Sequence, residues 1–139
     1  MGSFTDYMEQ KILDTLFGNI AYTPPDPIYV GLSSTPINED GTGITEPVGM
    51  GYARVPLDNN LTTWNSATAG TLTESVKSNA INIDFPEATD IWGIMTHFFI
   101  AEDPSGGNII GYGELNEPRE IVAQDMARFV EGTLLIELD

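Results

Sequence analysis

Few side chains in this sequence have the type and the spacing that catalysis or metal binding requires. The one histidine, His97, lies inside the apolar run at residues 94–101. A lone histidine in such a run is typical of a hydrogen-bonded core or interface residue. The sequence offers no cysteine or second histidine for a soft-metal site and no Gly-x-Ser-x-Gly nucleophile elbow. We therefore predict that the protein is not an enzyme and that it binds no metal or cofactor.

Carboxylates are abundant, since the chain has 21 Asp and Glu residues. The acids nearest to one another in sequence are Glu87 and Asp90, Glu102 and Asp103, and Glu114, Glu117 and Glu120. Glycoside hydrolysis needs two carboxyl groups about 5–10 Å apart in a cleft. These acids lie near predicted turns, where acids usually serve solvation and turn formation, so the sequence favours that interpretation over glycosidase chemistry.

The loop at residues 38–43, with the sequence Asn-Glu-Asp-Gly-Thr-Gly, has hard oxygen ligands and turn-forming glycines. It lacks the alternating acids and the final Glu of an EF-hand, so a calcium site there is only an alternative. The Gly-x-Gly pairs are not phosphate loops, because the lysine and the following helix are missing. The aromatic residues Tyr52, Trp64, Trp92 and Tyr112 could form a carbohydrate platform, although core packing explains them adequately.

The charge balance excludes several classes of partner. Five Lys and Arg residues against 21 acids give a net charge of −16. Such a field repels phosphate backbones and anionic lipid headgroups, so we predict neither nucleic-acid nor membrane binding. Solubility at high local concentration is the simplest reason for the acidity. Docking onto a basic protein surface and life in high salt are the alternatives.

The elements that would position these residues begin with a helix. Residues 1–139 have the length of one domain, and the first residues carry no pattern of a secretory signal. Paired apolar residues recur along residues 3–18 and predict a helix with a broad apolar stripe: Tyr7 and Met8, Ile12 and Leu13, Leu16 and Phe17. Ser3 or Thr5 would cap it, and Gly18 would be the left-handed residue after its end. We expect the stripe to pack on its own domain; the alternative is a docking helix for a neighbouring subunit.

The rest of the chain, residues 28–139, has the short period of strands. Predicted strands cover residues 28–33, 51–57, 79–85, 94–101, 109–113, 119–122, 127–130 and 133–138. Pro56 indicates an edge strand, and the run at 94–101 is apolar on both faces, as in a central strand. A long loop covers 35–50, and 59–78 is polar and rich in turns. The pattern predicts a mostly β protein, an antiparallel, jelly-roll-like β-sandwich of about eight short strands behind one N-terminal helix.

Several blocks in this order resemble a family of small tailed-bacteriophage virion proteins that are often labelled tail-fibre proteins. The blocks lie at residues 6–18, 21–33, 40–47, 51–55, 85–93, 107–113 and 129–134. One departure is the pair Gln124 and Asp125, where the family pattern would have a Gly-Asp turn. The family implies no catalytic residues.

The resemblance implies a virion structural protein that is assembled in the host cytoplasm. The leading hypothesis is a capsid decoration (cement) protein that binds the major capsid protein or other virion proteins on the outer face of the head, with a trimer as the oligomer that similar proteins suggest. The alternative is a tail-fibre or turret subunit that recognises surface glycans. Exposure of Trp64, Tyr52 and Tyr112 on one face would favour glycan recognition, and burial would argue against it.

We expect the contact surface to lie on the helix stripe and on the long loop. Its predicted residues are Tyr7, Met8, Lys11, Ile12, Asn38, Glu39, Asp40 and Glu46.

Overall fold

A computed structural model describes residues 2–138, and within that range the chain forms one helix and ten strands. The helix is α1 (Asp6–Gly18). The strands are β1 (Gly2–Phe4), β2 (Ile28–Ser33), β3 (Val55–Leu57), β4 (Thr68–Ala69), β5 (Ser75–Ser78), β6 (Ile83–Asp84), β7 (Gly93–Ala101), β8 (Ile109–Ile121), β9 (Arg128–Phe129) and β10 (Leu135–Leu138).

Eight of these strands join in one sheet, in the order β3-β2-β7-β8-β1-β10-β5-β4, and β6 pairs with β9. Every pair is antiparallel except β1 with β10, which is parallel. The predicted mostly β, antiparallel fold with one leading helix is therefore confirmed. The strands number ten rather than eight, and the jelly-roll-like arrangement stays a prediction.

Strand β7 is the central strand that its apolar pattern predicted. It lies between β2 and β8, and its side chains enter two different cores. Phe98 and Ile100 join the larger core, whereas Phe99 and Ala101 join a smaller one on the other face. The long loop at 35–50 covers the smaller core, because it supplies Ile37 and Ile44 to it.

The edges of the large sheet are short. Strand β3 forms one edge and contains Pro56, as predicted, and β4 forms the other with two residues. A proline cannot donate to a further strand, and a two-residue strand offers little to pair with. Both ends of the sheet are therefore poor templates for the addition of another chain.

Strand β8 differs from its prediction, because residues 109–121 form one strand where two were expected. Its pairing with β7 runs from Met95 opposite Arg119 to His97 opposite Glu114, so four β8 residues face a single residue of β7. Such a bulge lets a strand continue through Pro118, which has no ladder donor.

Two other segments were predicted wrongly. The polar segment 59–78 contains the short strands β4 and β5. The predicted strand at 79–85 shrinks to β6 because Asn79 is fully buried and binds backbone instead. Its side-chain amide donates to the carbonyls of Ile81 and Val130 and accepts from the Leu134 N–H.

The helix is shorter than predicted at its start, because residues 2–4 pair with β8 as β1. Thr5 is the N-cap, one of the two candidates. At the other end Asn19, with φ 53°, is the left-handed residue in place of Gly18, and the Ile20 N–H donates to the Asp14 carbonyl. Asparagine tolerates this conformation better than most residues. No helix within residues 2–138 is long and apolar enough to cross a membrane.

Candidate docking surfaces

The first turns of α1 are anchored on the domain. The Thr5 side chain accepts from the Met8 N–H at 3.4 Å and donates to the Ile109 carbonyl, so one residue caps the helix and ties it to β8. Met8 is buried, and Ile12 is half-buried. The expectation that the stripe packs on its own domain is correct for this half of the helix.

The last turns of α1 are not covered, and here that expectation is wrong. Four large apolar side chains are exposed and form what we call the helix-end patch: Leu13 (55 % exposed), Leu16 (69 %), Phe17 (84 %) and Ile20 (58 %). All residues from Leu13 to Ala21 are exposed. Nothing within residues 2–138 covers this patch.

Two tyrosines hold α1 and the segment that follows it against the β7–β8 hairpin. The hydroxyls of Tyr7 and Tyr22 donate to the same carboxylate oxygen of Glu102, at 3.0 and 2.9 Å. Burial raises the pKa of both tyrosines, and the hydrogen bond to Glu102 raises it further. The base of the helix is therefore fixed while its end projects.

The predicted contact residues divide between buried, half-buried and exposed positions. Met8 is buried in its own domain, and Tyr7, Lys11, Ile12 and Glu46 are half-buried. The Lys11 ammonium lies 5.5 Å from the centre of the Tyr7 ring. The predicted contact surface included the helix stripe, to which Leu13, Leu16 and Phe17 belong, but the individual residues that it named did not include them.

The other three predicted residues, Asn38, Glu39 and Asp40, are exposed on the long loop. The Asp40 carboxylate accepts from the Thr42 hydroxyl and backbone N–H, and these bonds lower its pKa. Within residues 2–138, no group of three acidic or histidine side chains is arranged to hold a metal ion. The Asp40 carboxylate thus holds the turn between residues 40 and 42.

Glu46 lies apart from these loop acids, in a buried ion pair that sequence reasoning missed. Its carboxylate binds the Arg54 guanidinium through two bonds of 3.0 Å, and it accepts from the Tyr52 hydroxyl at 2.6 Å. Burial, and then the bond to Glu46, raise the pKa of Tyr52. The signal available in the sequence was Arg54 itself, an arginine in a predicted strand of a very acidic chain.

The aromatic residues that could have formed a carbohydrate platform are largely inside the domain. Trp64 and Trp92 are buried, and Tyr52 and Tyr112 are half-buried. Tyr52 packs edge-on against Trp92, with ring centres 5.3 Å apart. The test set out for glycan recognition therefore argues against a platform built from these rings.

The single histidine is hydrogen-bonded, as predicted. His97 is half-buried, and its Nδ1 lies 2.8 Å from the Thr96 hydroxyl. It faces Ser33 on β2 and Glu114 on β8 across the sheet.

A cleft of about 680 Å³ lies on the larger-core side of the sheet, between the second half of β8 and residues 125–130. We call it the β8–β9 cleft. Its lining includes the buried residues Leu32, Phe85, Met95 and Phe98 and the exposed residues Met126 and Val130. Both carboxylates and arginines border it. The cleft therefore combines apolar side chains with charged side chains on its border.

The family of this chain follows from comparison with known proteins. No curated protein matches it. Over residues 3–137 it matches the model of the family described as Podophage GP4 fiber I protein gp80. Because that match spans nearly the whole chain, the protein belongs to this phage fibre family and is a tail-fibre-like protein of the virion.

Proposed function

We propose that this chain is a structural subunit that is held in the virion through the helix-end patch and adds contacts between neighbouring particle proteins. The observation that carries the proposal is the exposure of Leu13, Leu16 and Phe17 in the last turns of α1 and of Ile20 just beyond its end. Large contiguous apolar patches are uncommon on soluble domains and usually mark interaction sites.

The energetics support attachment through this patch. Full burial of one such side chain contributes about 1.5–3 kcal/mol, so four together are enough to offset much of the entropic cost of association. Asp14 is the only charged residue between Leu13 and Ile20, although the chain as a whole carries −16. A partner can therefore approach here with less electrostatic repulsion than elsewhere.

The position of the subunit in the particle is a separate part of the proposal. The fibre family favours the tail. Decoration of the head is the second candidate, and it is favoured by the architecture: residues 2–138 form a domain with its own core, which suits a discrete subunit added to a lattice. Electron microscopy of particles carrying this chain, with its density located, separates the two.

Docking through the patch is tested by incorporation into particles. The double variant Leu16→Gln/Phe17→Gln removes apolar surface but keeps residues of good helix propensity. We expect it to fold normally and to be lost from purified particles. The matched control is Val48→Gln/Leu72→Gln, because both residues are 86 % exposed and lie outside the patch. Normal incorporation of the helix variant would overturn the proposal.

The salt dependence of attachment tests whether the helix-end patch or the acidic surface makes the main contact. If the patch carries attachment, added NaCl should leave the bound fraction unchanged or raise it, because apolar burial is not screened. Attachment through the acidic surface to a basic partner would instead weaken steeply with salt. Release of the subunit by moderate salt would therefore count against the patch as the main contact.

A further inference from the structure

We infer that the β8–β9 cleft binds an extended, basic segment of a different protein, which adds to the free edge of β8 as a further strand. The inference goes beyond the proposed function, because it concerns a second contact that does not involve the helix-end patch. It is carried by three features of the cleft: part of β8 has no partner strand, the cleft follows that part, and its border is acidic.

The second half of β8 has an edge that no strand covers within residues 2–138. Strand β1 pairs with that edge only at residues 111–113, where Gly2 lies opposite Gly113. Strand β7 pairs with the other edge, and residues 115–118 have no partner in either ladder. Unpaired strand backbone is a template for a further strand. An extended segment can therefore add to β8 in line with β1.

The β8–β9 cleft follows this edge. Its lining contains consecutive residues of β8, at 114–117 and 119–121. Neighbouring residues of a strand point to opposite faces, so a lining of consecutive residues places the cleft along the edge of β8 as well as against one face. Residues 116–120 are all exposed. The volume of about 680 Å³ is sufficient for several side chains of an added segment.

The border of the cleft favours a cationic segment. Arg128 lines the cleft but is already paired with Asp84, and Arg119 forms no ion pair within residues 2–138. Four carboxylates line the cleft beside these arginines: Glu114, Glu117, Glu120 and Asp125. The border therefore has an excess of negative charge, which attracts and orients lysine and arginine side chains of a partner.

The wall of the cleft suits the alkyl parts of such side chains. Met126 and Val130 are exposed, and Phe129 beside them is half-buried. Lysine and arginine lay their methylene groups on apolar surface while the charged end reaches a carboxylate or water. These wall residues gain burial when a segment binds, whereas the floor is already buried in its own domain.

A second copy of this chain does not supply such a segment. The nearest two basic residues in its sequence, Arg119 and Arg128, are nine positions apart, so a strand of ordinary length contains only one of them. A second copy also carries the same net charge of −16, which opposes its approach to an acidic cleft. The segment therefore belongs to a different, basic protein, and the helix-end patch stays the main contact.

The test uses a synthetic peptide of alternating lysine and valine, about eight residues long, as a strand of ordinary length. Its binding to the full chain is measured by fluorescence anisotropy, and a peptide with glutamate in place of lysine is the control ligand. The cleft variant is Glu117→Gln/Glu120→Gln. The matched control variant is Glu39→Gln/Glu87→Gln, which removes the same two charges from exposed positions outside the cleft. Because all four side chains are exposed, both variants should keep the wild-type melting temperature.

We expect the control variant to bind the lysine peptide within about twofold of the wild type, and the cleft variant at least about fivefold more weakly than the control. The glutamate peptide should not bind. In hydrogen exchange of the wild type, the lysine peptide should protect the amides of residues 115–117, which have no ladder partner without it.

Three outcomes would overturn the inference. If the cleft variant and the control variant bind the lysine peptide equally, the peptide contacts the acidic surface at large and not the cleft. If it binds without protecting the amides of residues 115–117, it does not add to β8 as a strand. Failure of the wild type to bind it would also contradict the inference.

These outcomes are separate from the fate of the proposed function. The helix variant Leu16→Gln/Phe17→Gln should bind the lysine peptide like the wild type, because neither residue lines the cleft. The proposed function fails only if that variant is incorporated normally into particles.

Discussion

Two arginine–carboxylate pairs in this protein have the same chemistry and opposite surroundings. Arg54 and Glu46 join β3's start to the long loop with side chains 4 % and 24 % exposed, whereas Arg128 and Asp84 join β9 to β6 with side chains 49 % and 40 % exposed. The Arg54 guanidinium also donates to the carbonyls of Asp103 and Gly106, at 2.7 and 2.9 Å. The first pair therefore joins three segments, and the second joins two neighbouring strands.

The two pairs differ in how many segments of the domain their polar contacts hold together. Around Arg54 the long loop, the β7–β8 hairpin and the sheet share one buried network, which also includes Tyr52. A buried charge is costly when it loses its partner, whereas an exposed pair contributes little. Arg128 is one of the residues that line the open β8–β9 cleft.

The largest effect is expected from Arg54→Met, which leaves the Glu46 carboxylate without its cation and two hairpin carbonyls without donors. Breaking a buried pair typically costs about 3–5 kcal/mol, and the partial exposure of Glu46 places this variant near the lower end. Urea denaturation measures the loss. Adding Glu46→Gln should recover part of it, and a double variant no more stable than the single one would contradict the role of the stranded carboxylate.

Gly31→Ala should disturb the same network by displacing the ring on which Arg54 packs. A Cβ atom at this position would lie 2.2 Å from the tip of the Phe99 ring, which is fully buried. The Arg54 guanidinium lies over the same ring, 4.9 Å from its centre. Moving a packed ring typically costs about 1–3 kcal/mol. Gly18→Ala is the control, because its nearest neighbour would be 3.7 Å away and alanine favours a helix. Equal stability of the two variants would show that Phe99 can move freely.

Tyr52→Phe sharpens the comparison by removing one hydroxyl. That hydroxyl donates to Glu46 and accepts from the Leu32 N–H, so its loss should cost about 1–3 kcal/mol. The raised pKa of Tyr52 also predicts that the fold is less stable at alkaline pH. A group whose pKa is higher in the folded than in the unfolded state contributes its full stabilisation below the unfolded pKa, which is near 10 for tyrosine. That contribution is lost as the pH rises further toward the folded-state pKa. Thermal melting between pH 8 and 11 should show a fall in stability that is smaller in Tyr52→Phe, and identical pH profiles would contradict this.

The smallest effect is expected from Arg128→Met. The hydrogen bond to Asp84 raises the pKa of Arg128, but both side chains are in contact with water. The pair should be replaceable without a measurable change in urea denaturation at physiological salt. A loss of unfolding free energy as large as that of Arg54→Met would mean that the difference in exposure does not determine how much each pair contributes to stability.

The strands with the clearest pattern were predicted from the sequence. Residues 28–33 form β2 with the predicted bounds, and the doubly apolar run at 94–101 became the central strand. Both segments have many apolar residues at strand spacing, so the local preference for a strand and burial in the sheet favour the same structure. Strand β8 could not be predicted as one piece, because its continuity through Pro118 depends on a bulge against β7. The predicted strand at 79–85 lost its first residues because the buried Asn79 side chain binds Val130 and Leu134, which lie about 50 residues away along the chain.

The exposure of the helix end and the presence of the cleft could be predicted only in part from the sequence. The stripe predicted a helix, but the pattern is the same for side chains that pack on the domain and for those that extend beyond it. Met8 is buried and Phe17 is exposed, and periodicity carries no information about which turns of the helix the rest of the domain covers. The β8–β9 cleft is formed by segments that meet only in the fold, so no local pattern indicated it.

The sequence by itself determined the acidity, the β-rich pattern, the leading helix and the order of blocks that resembles phage virion proteins. These follow from composition and local periodicity, which each segment carries on its own. Only the tertiary structure decided that Arg54 is paired and buried, that Trp64 and Trp92 lie in the core, and that the helix end is exposed. Those properties depend on contacts between distant segments, and such contacts exist only once the sheet has formed.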